Sequence, residues 1–274
     1  MIAPMTNDLR MPAALELDLR RLGLREGDTV MVHAAMRSVG RLVNGPDALI
    51  QALRAAVGTG GTIVAYADWE SRYEELLDAD GRMPDAWRHQ VPGFDPATAR
   101  AIRDNGVFPE FLRTTPGALR SGNPGASIVA LGARAAEITA DHPLDYGYGP
   151  GTPLARLVTL GARVLLVGAP LDTMTLLHHA EHLARLPGKR IKRCEVPFAA
   201  PSGTVWRMVE EFDTARPVVD GLDDDCFERI VADYIASGRA VHGFVGEAPT
   251  LMVDAADITE FAVAWLDDAA GSRS

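Results

Sequence analysis

Short apolar runs alternate with helical patterns along most of the chain, and this alternation limits the possible folds more than any other feature. Arg163–Val167 is the clearest buried strand, and a helical pattern follows it from about Met174 to Leu186. Thr62–Tyr66 is a second strand, separated by a helical pattern from an apolar run at 28–33. Strands that alternate with helices are typical of α/β folds with parallel neighbours. Later strands with few helices between them indicate antiparallel pairing, so we predict an α/β fold with a mixed central sheet flanked by helices.

The chain shows no repeat and no linker-like stretch, so we predict that residues 1–274 form a single domain. Residues 67–107 are polar and aromatic and are interrupted by Pro84, Pro92 and Pro96. A stretch of this length without regular structure is usually a lid or a binding wall. We therefore predict long substrate-binding loops at this point of the chain.

The charge balance excludes several classes of protein. With 27 basic and 37 acidic residues the formal net charge is −10, which disfavours nucleic acid as a partner. No apolar run approaches the ~18–20 residues of a membrane span, and the first residues show no secretory pattern. Cys194 and Cys226 have no CxxC spacing, which argues against a disulfide framework or a thiolate zinc site. We expect a cytoplasmic protein without a membrane partner.

The helix after the clearest strand carries the sequence His178-His179-Ala180-Glu181-His182. His178 and His182 share a helix face and match H-x-x-E-H, so a zinc hydrolase is one interpretation, although a third ligand is missing. In the other interpretation one imidazole is a general base, because it titrates near neutral pH. It would lie at the carboxyl end of a parallel strand, where open α/β sheets place their sites. A carboxylate would orient it, and residue type alone offers Asp213, Glu211 and Glu210.

Two further segments carry weaker signals. The predicted loops interleave carboxylates such as Asp68, Glu74 and Asp95 with aromatic residues such as Tyr66 and Trp69. Carboxylates beside aromatic rings suit a polyamine or an aminosugar, although a solvated acidic loop is the alternative. The turn at 34–40 follows a strand and could present backbone N–H groups to phosphate oxygens, but it matches no phosphate-binding motif and a plain turn is the default.

Several blocks of residues form an ordered set across nearly the whole chain. They are Leu22–Leu24 with Gly27-Asp28, Val32-His33 with Arg37–Gly40, Gly45-Pro46, Val57-Gly58 with Gly60–Thr62, Phe94–Pro96, Arg120-Ser121 with Pro124 and Ser127, Pro153–Arg156, Leu166–Pro170, Thr175–Glu181, Gly188–Arg190, Asp213 and Asp254–Ile258. Together they resemble the aminoglycoside 3-N-acetyltransferase family. The resemblance implies transfer of an acetyl group from acetyl-CoA to the 3-amino group of a 2-deoxystreptamine antibiotic, with no metal, by a monomer or homodimer.

The resemblance also implies roles for individual residues. His178 becomes the general base, supported by Asp213 or, next best, Glu211. The coenzyme site is implied to include His33, Ala34, Ala35, Arg37, Ser38, Val39, Gly40, Ser121 and Thr175. The antibiotic wall is implied to include Tyr66, Asp68, Trp69, Glu74, Asp95 and Glu181.

The chain departs from the family pattern at three places. Asn123 stands where the family commonly has a histidine, Ala35 replaces a common serine, and Phe212–Ala215 replaces an aromatic-Asp-Ser-Asn stretch. These departures concern the substrate range and some coenzyme contacts. A zinc hydrolase, an acyltransferase with another amine acceptor and a non-catalytic binder of cationic drugs stay as alternatives.

Overall fold

The computed structural model describes residues 9–271, so part of the N-terminal stretch in which we expect no secretory signal lies outside the described residues. The helices are α1 (Pro12–Leu22), α2 (Pro46–Val57), α3 (Asp85–Arg88), α4 (Phe108–Thr114), α5 (Ala135–Thr139), α6 (Pro153–Thr159), α7 (Leu176–Leu183), α8 (Cys226–Ala236) and α9 (Ala255–Gly271). The strands are β1 (Thr29–Ala34), β2 (Thr62–Tyr66), β3 (Leu119–Arg120), β4 (Ile128–Gly132), β5 (Arg163–Val167), β6 (Ile191–Ala200), β7 (Gly203–Phe212), β8 (Val241–Val245) and β9 (Ala248–Asp254).

A seven-stranded mixed sheet lies at the centre, in the order β3-β4-β2-β1-β5-β9-β8. The strand β1 runs parallel to both β2 and β5, whereas β3, β4, β8 and β9 join by antiparallel pairing. The prediction of an α/β fold with a mixed central sheet is confirmed. Within the described range no helix combines the length and apolar character that a membrane span requires.

The central strands are apolar on both faces because helices cover both sides of the sheet. Successive side chains of a strand point to opposite faces, so Val30 and Val32 pack in one core while Met31 packs in the other. Val164 and Leu165 divide in the same way. This double burial explains why β1 and β5 are uninterrupted apolar runs, as expected of parallel strands.

The hairpin β6–β7 forms a separate two-stranded sheet of ten residues a strand. It packs against the predicted loop region, which has only short helical turns at Tyr73–Leu76, Asp85–Arg88 and Arg103–Asn105. The backbone N–H of Phe94 donates to the carbonyl of Pro197 at 2.8 Å. Loop and hairpin therefore form one unit beside the main sheet.

The ion pair between Arg88 and Glu195 holds this unit together. The guanidinium donates to both carboxylate oxygens, at 2.5 and 3.0 Å, and the backbone N–H of Met83 donates to the same carboxylate at 2.8 Å. Glu195 is 7% exposed, so its charge depends on these partners rather than on water.

We expect Glu195→Ala to lower the free energy of unfolding by about 2 kcal/mol, because it removes three hydrogen bonds to a buried charge. Urea denaturation followed by circular dichroism measures the change. Glu137→Ala is the matched control, since Glu137 pairs with Arg134 while both side chains are about half exposed. The control should change the free energy of unfolding by less than about 0.5 kcal/mol. Equal effects of the two variants would contradict the structural role of Glu195.

Candidate active site

The carboxyl ends of the parallel strands bring together residues that are far apart in sequence. His33 and Ala34 end β1, Tyr66 ends β2, and Val167 ends β5 beside Ala34. The chain leaving β5 turns through Leu171–Thr173 into α7, which carries His178. This edge of the sheet, where the site is predicted, therefore holds His33, His178 and Tyr66.

His178 makes its closest polar contact with a carboxylate one helical turn further on. Its Nδ1 lies 2.7 Å from Oε2 of Glu181, which is 3% exposed. Residues three apart on a helix share a face, so α7 itself aligns the two side chains. The rings of Tyr148 and Phe227 lie 4.9 Å from the imidazole, centroid to centroid, and restrict its orientation.

In the structure, neither Asp213 nor Glu211, the predicted partners, is the carboxylate that contacts His178. The Asp213 carboxylate accepts from the backbone N–H of Ala215 at 3.1 Å instead. Glu211 accepts from the backbone N–H of Gly147 at 2.5 Å, and its other oxygen lies 3.1 Å from Nε2 of His182. Both carboxylates lie at the end of the hairpin, and their described contacts do not include the ring of His178.

Glu181, which the family resemblance placed in the antibiotic wall, is instead the residue that contacts His178, and its place in that wall stays a prediction. Its side chain is buried in α7 beneath His178. Helix periodicity contained this signal, since Glu181 follows His178 by three residues.

Two cavities meet at His178 and Tyr66, which line both of them. The first, here called the strand-end cavity, has a volume of about 360 Å³ and lies between the ends of β1 and β5 and residues 104–109. The second, here called the loop cavity, has a volume of about 380 Å³ and lies between the loop region, the residues around Tyr148 and the hairpin. A group bound in each cavity would thus reach the same imidazole.

Of the predicted coenzyme residues, His33, Ala34, Ala35 and Thr175 line the strand-end cavity. The structure does not bring the others to its wall. Residues Met36–Val39 form a 3₁₀ turn that places Val39 in the hydrophobic core. Ser121 is 1% exposed and its hydroxyl accepts from the backbone N–H of Ile128. The predicted coenzyme residues outside this lining are Arg37, Ser38, Val39, Gly40 and Ser121, and their coenzyme role stays a prediction.

His33 is uncharged at neutral pH. Burial lowers the pKa of its imidazole to about 4, because a charged ring would lose its hydration. Its Nε2 is buried, and residues 9–271 offer it no hydrogen-bond partner. A neutral ring in the wall of the strand-end cavity can offer a polar atom to a ligand without adding charge.

Of the predicted antibiotic-wall residues, Tyr66, Asp68, Trp69 and Glu74 line the loop cavity. Asp95 does not, because its carboxylate closes a local turn by accepting from Ala97 N and from the Thr98 hydroxyl. The hairpin adds acidic side chains and the preceding loops add aromatic ones. The lining residues not predicted for this wall include Tyr73, Tyr148, Lys192, Glu211, Phe212 and Asp213.

Asn123 also lines the loop cavity, at the position where the sequence departs from the family pattern. Its carboxamide donates to the carbonyl of Pro143 at 2.8 Å and accepts from the backbone N–H of Ala126 at 3.1 Å. The side chain thus braces two loops on that wall, and its hydrogen bonds are directed to backbone.

Two tyrosine hydroxyls and a partly buried carboxylate, those of Tyr66, Tyr148 and Asp68, lie in the wall of the loop cavity. The hydroxyls of Tyr66 and Tyr148 are 2.8 Å apart, and both contact the carbonyl of Gly125. Burial raises the pKa of Asp68 to about 7, although the backbone N–H of Trp69 donates to it at 2.7 Å. Asp68 therefore changes charge near neutral pH, and a cation in the cavity would favour its ionised form.

The histidine cluster on α7 does not form a metal site. In the part of the chain that the structure describes, no group of three or more His, Cys, Asp or Glu side chains is arranged to hold a metal ion. His179 instead contacts the carbonyl of Tyr148 at 2.7 Å through its Nδ1.

Comparison with known proteins gives close sequence relatives. A sequence profile described as aminoglycoside 3-N-acetyltransferase matches residues 31–267. The chain is 45% identical to aminoglycoside N(3)-acetyltransferase III of Pseudomonas aeruginosa, over 97% of this chain and 98% of the relative. It is 44% identical to aminoglycoside N(3)-acetyltransferase VIII of Streptomyces fradiae, over 94% of this chain and 92% of the relative.

Solved structures give the same result. AAC-IIIb in a binary complex with CoASH matches with a TM-score of 0.95 and 63% identity, over 97% of this chain and 99% of that one. Sisomicin-bound AAC-VIa matches with a TM-score of 0.89 and 37% identity, over 95% of this chain and 98% of that one. The fold is that of these aminoglycoside acetyltransferase structures. The chain belongs to the aminoglycoside 3-N-acetyltransferase family.

We expect the stability of the protein to depend on pH through Asp68. Its pKa is about 7 in the folded chain and near 3.8 when unfolded, so the folded state binds more protons between these values. The free energy of unfolding should then fall as pH rises from about 4 to about 7, by up to about 1.4 kcal/mol per pH unit from this group. Asp68→Asn should lack that contribution.

Urea denaturation of wild type and Asp68→Asn at pH 5, 6, 7 and 8 measures the difference. Asp78→Asn is the control, because Asp78 caps an exposed turn outside both cavities. A constant difference between wild type and Asp68→Asn over this range would contradict the raised pKa.

Proposed function

We propose that the protein transfers the acetyl group of acetyl-CoA directly to the 3-amino group of 2-deoxystreptamine aminoglycosides, with His178 as general base. Such acetylation would confer resistance to these antibiotics. The observation that carries the proposal is that two cavities of similar size share His178 and Tyr66 in their walls. Segments from Val32 to Ala215 build these walls, which supports one catalytic domain.

The strand-end cavity suits the thioester end of acetyl-CoA. It lies at the carboxyl ends of parallel strands and its wall includes Ala34 and Ala35. Its neutral His33 adds no positive charge beside the reacting carbonyl. The structure of AAC-IIIb with CoASH, whose fold this chain shares, supports a coenzyme site in this fold.

The loop cavity suits a polycationic aminosugar. Asp68, Glu74, Glu211 and Asp213 supply carboxylates for ammonium groups, and rings such as Trp69 supply flat apolar surface. A carboxylate wall also fixes the register of the bound drug, so that one amine is held next to the imidazole. The sisomicin complex of AAC-VIa supports this assignment.

Proton transfer follows from the contact between His178 and Glu181. When Nδ1–H donates to the Glu181 carboxylate, Nε2 carries the lone pair and can remove a proton from the substrate ammonium. The free amine attacks the thioester carbonyl, a C–N bond forms and the C–S bond breaks. The proton held by the imidazole can then neutralise the leaving thiolate, and the second proton lost by the acetylated nitrogen passes to the freed imidazole and from there to solvent. The buried carboxylate stabilises the transient imidazolium throughout.

We expect His178→Ala to lower kcat by between about a hundredfold and ten-thousandfold, because the amine must then lose its proton without a base. Thiol release from acetyl-CoA with sisomicin measures turnover, and calorimetry measures drug binding, which should be retained. His242→Ala is a control, since His242 lies on the edge strand β8. Normal turnover by His178→Ala would remove the general-base assignment.

We expect Glu181→Gln to lower kcat at least about tenfold with little change in KM, because it removes the charge that stabilises the imidazolium. Asp213→Asn should affect kcat less, since the Asp213 carboxylate closes a local turn. The same thiol-release assay compares the two variants. A larger loss of kcat in Asp213→Asn would instead favour Asp213 as the partner of His178, as the sequence resemblance implies.

The competing functions make different predictions in the same assay. A zinc hydrolase would lose activity with a chelator and would carry stoichiometric metal, and neither the geometry of α7 nor the family favours it. An acyltransferase for another amine would release thiol with other acceptors but not with aminoglycosides. A panel of acceptors, assayed with and without chelator, separates these outcomes.

A further inference from the structure

The loop cavity contains a positively charged side chain that its proposed substrate does not require. Of the 27 basic residues in the sequence, two are lysines, Lys189 and Lys192. Among the described residues that line the loop cavity, Lys192 is the one lysine or arginine. The positive charge of Lys192 would repel a polycation bound in the same cavity. The group that Lys192 pairs with is therefore important for substrate binding.

Lys192 is paired with the carboxylate of Glu74. Its Nζ donates to Oε2 of Glu74, across the cavity wall from the hairpin to the turn Tyr73–Leu76. Lys192 also lies opposite Glu211 in the register of the hairpin. However, the Glu211 oxygens accept from the backbone N–H groups of Gly147 and Phe212. Glu74 is therefore the carboxylate that Lys192 neutralises.

This ion pair can exchange partners easily. The side chain of Lys192 is 45% exposed and that of Glu74 is 47% exposed, so solvent screens their attraction. A lysine side chain has a flexible four-carbon stem and can move its ammonium into water. An ammonium group of a ligand has the same chemistry as the Lys192 head group and can replace it on Glu74.

We propose that Lys192 is a specificity-determining residue that competes with a substrate ammonium for Glu74. This inference rests on the proposed function, because it assumes a polyamine substrate in the loop cavity. In the empty cavity Lys192 occupies Glu74, and an antibiotic whose amino group reaches Glu74 displaces it. Binding of such a drug includes the cost of separating the pair, whereas a smaller amine that does not reach Glu74 avoids that cost. The ion pair thus lowers the preference of the cavity for larger polyamines.

The test is a double-mutant cycle with Lys192→Met, Glu74→Gln and the double variant. Sisomicin is the polyamine probe and 2-deoxystreptamine is the small probe. Calorimetry without acetyl-CoA gives Kd, and thiol release gives kcat and KM. Lys192→Met should lower the Kd and KM for sisomicin about threefold, the size of an exposed ion pair. The affinity for 2-deoxystreptamine should change clearly less than that for sisomicin, and kcat with sisomicin should not fall.

The Glu74→Gln background separates two effects of Lys192: competition with the drug for Glu74, and direct repulsion of the drug by the lysine charge. If Lys192 acts through Glu74, Lys192→Met in that background should change the sisomicin Kd clearly less than in the wild type. Lys192→Arg should leave the Kd close to wild type, because it keeps the cation. Arg72→Met is the matched control, since Arg72 lies next to the same turn, pairs with Glu75 and is 82% exposed. It should leave the Kd unchanged.

Three results would overturn the inference. They are weaker sisomicin binding by Lys192→Met, an equal effect of Lys192→Met in both backgrounds, and a loss of kcat at unchanged KM. Lys192→Gln repeats the test if the methionine variant is unstable. Failure of the proposed function gives a different result, since wild type would then release no thiol with any aminoglycoside.

Discussion

The hydrogen bond between Nδ1 of His178 and the buried carboxylate of Glu181 is the interaction on which the proposed chemistry depends. Both groups belong to α7, so a single helical turn sets their geometry and no loop has to be positioned for it. The helix follows β5 at the edge where three parallel strands end. The rings of Tyr148 and Phe227 flank the imidazole, so contacts within the protein orient the proposed base. Such preorganisation avoids reorganisation during the reaction.

The elements that carry strong periodic signals could be predicted from the sequence. The central strands are apolar on both faces, and the helix after β5 places His178 where open α/β sheets hold their sites. The edge strand β8 carries no such signal, because its side chains are mostly exposed and give no apolar run. Residues 67–107 were correctly expected to lack long regular elements, because prolines and polar residues interrupt every pattern there.

Contacts between distant segments could not be read from the sequence. The choice of Asp213 or Glu211 as the partner of His178 needed the path of the hairpin, whose end directs both carboxylates to other groups. The turn at Met36–Val39 belongs to a block that resembles the family, yet its apolar Val39 packs in the hydrophobic core. Asp95 is a candidate because it is charged and lies in an acidic loop. In the structure its carboxylate accepts a hydrogen bond within a local turn instead. In each case the residue type indicated a possible role, but the sequence did not show where the side chain points.

The separate hairpin β6–β7 has a consequence for how this enzyme could change its acceptor range. One wall of the loop cavity comes from a two-stranded sheet that shares no backbone ladder with the seven-stranded sheet. Substitutions such as those at Lys192 or Val209 can therefore reshape the drug-facing wall while β5 and α7 keep their packing. The proposed base, on the helix that follows β5, and the hairpin wall thus belong to different parts of the fold, joined through the contact of Glu211 with His182. Under the proposed function, the acceptor range could change through hairpin residues away from that contact while His178 and Glu181 keep their geometry.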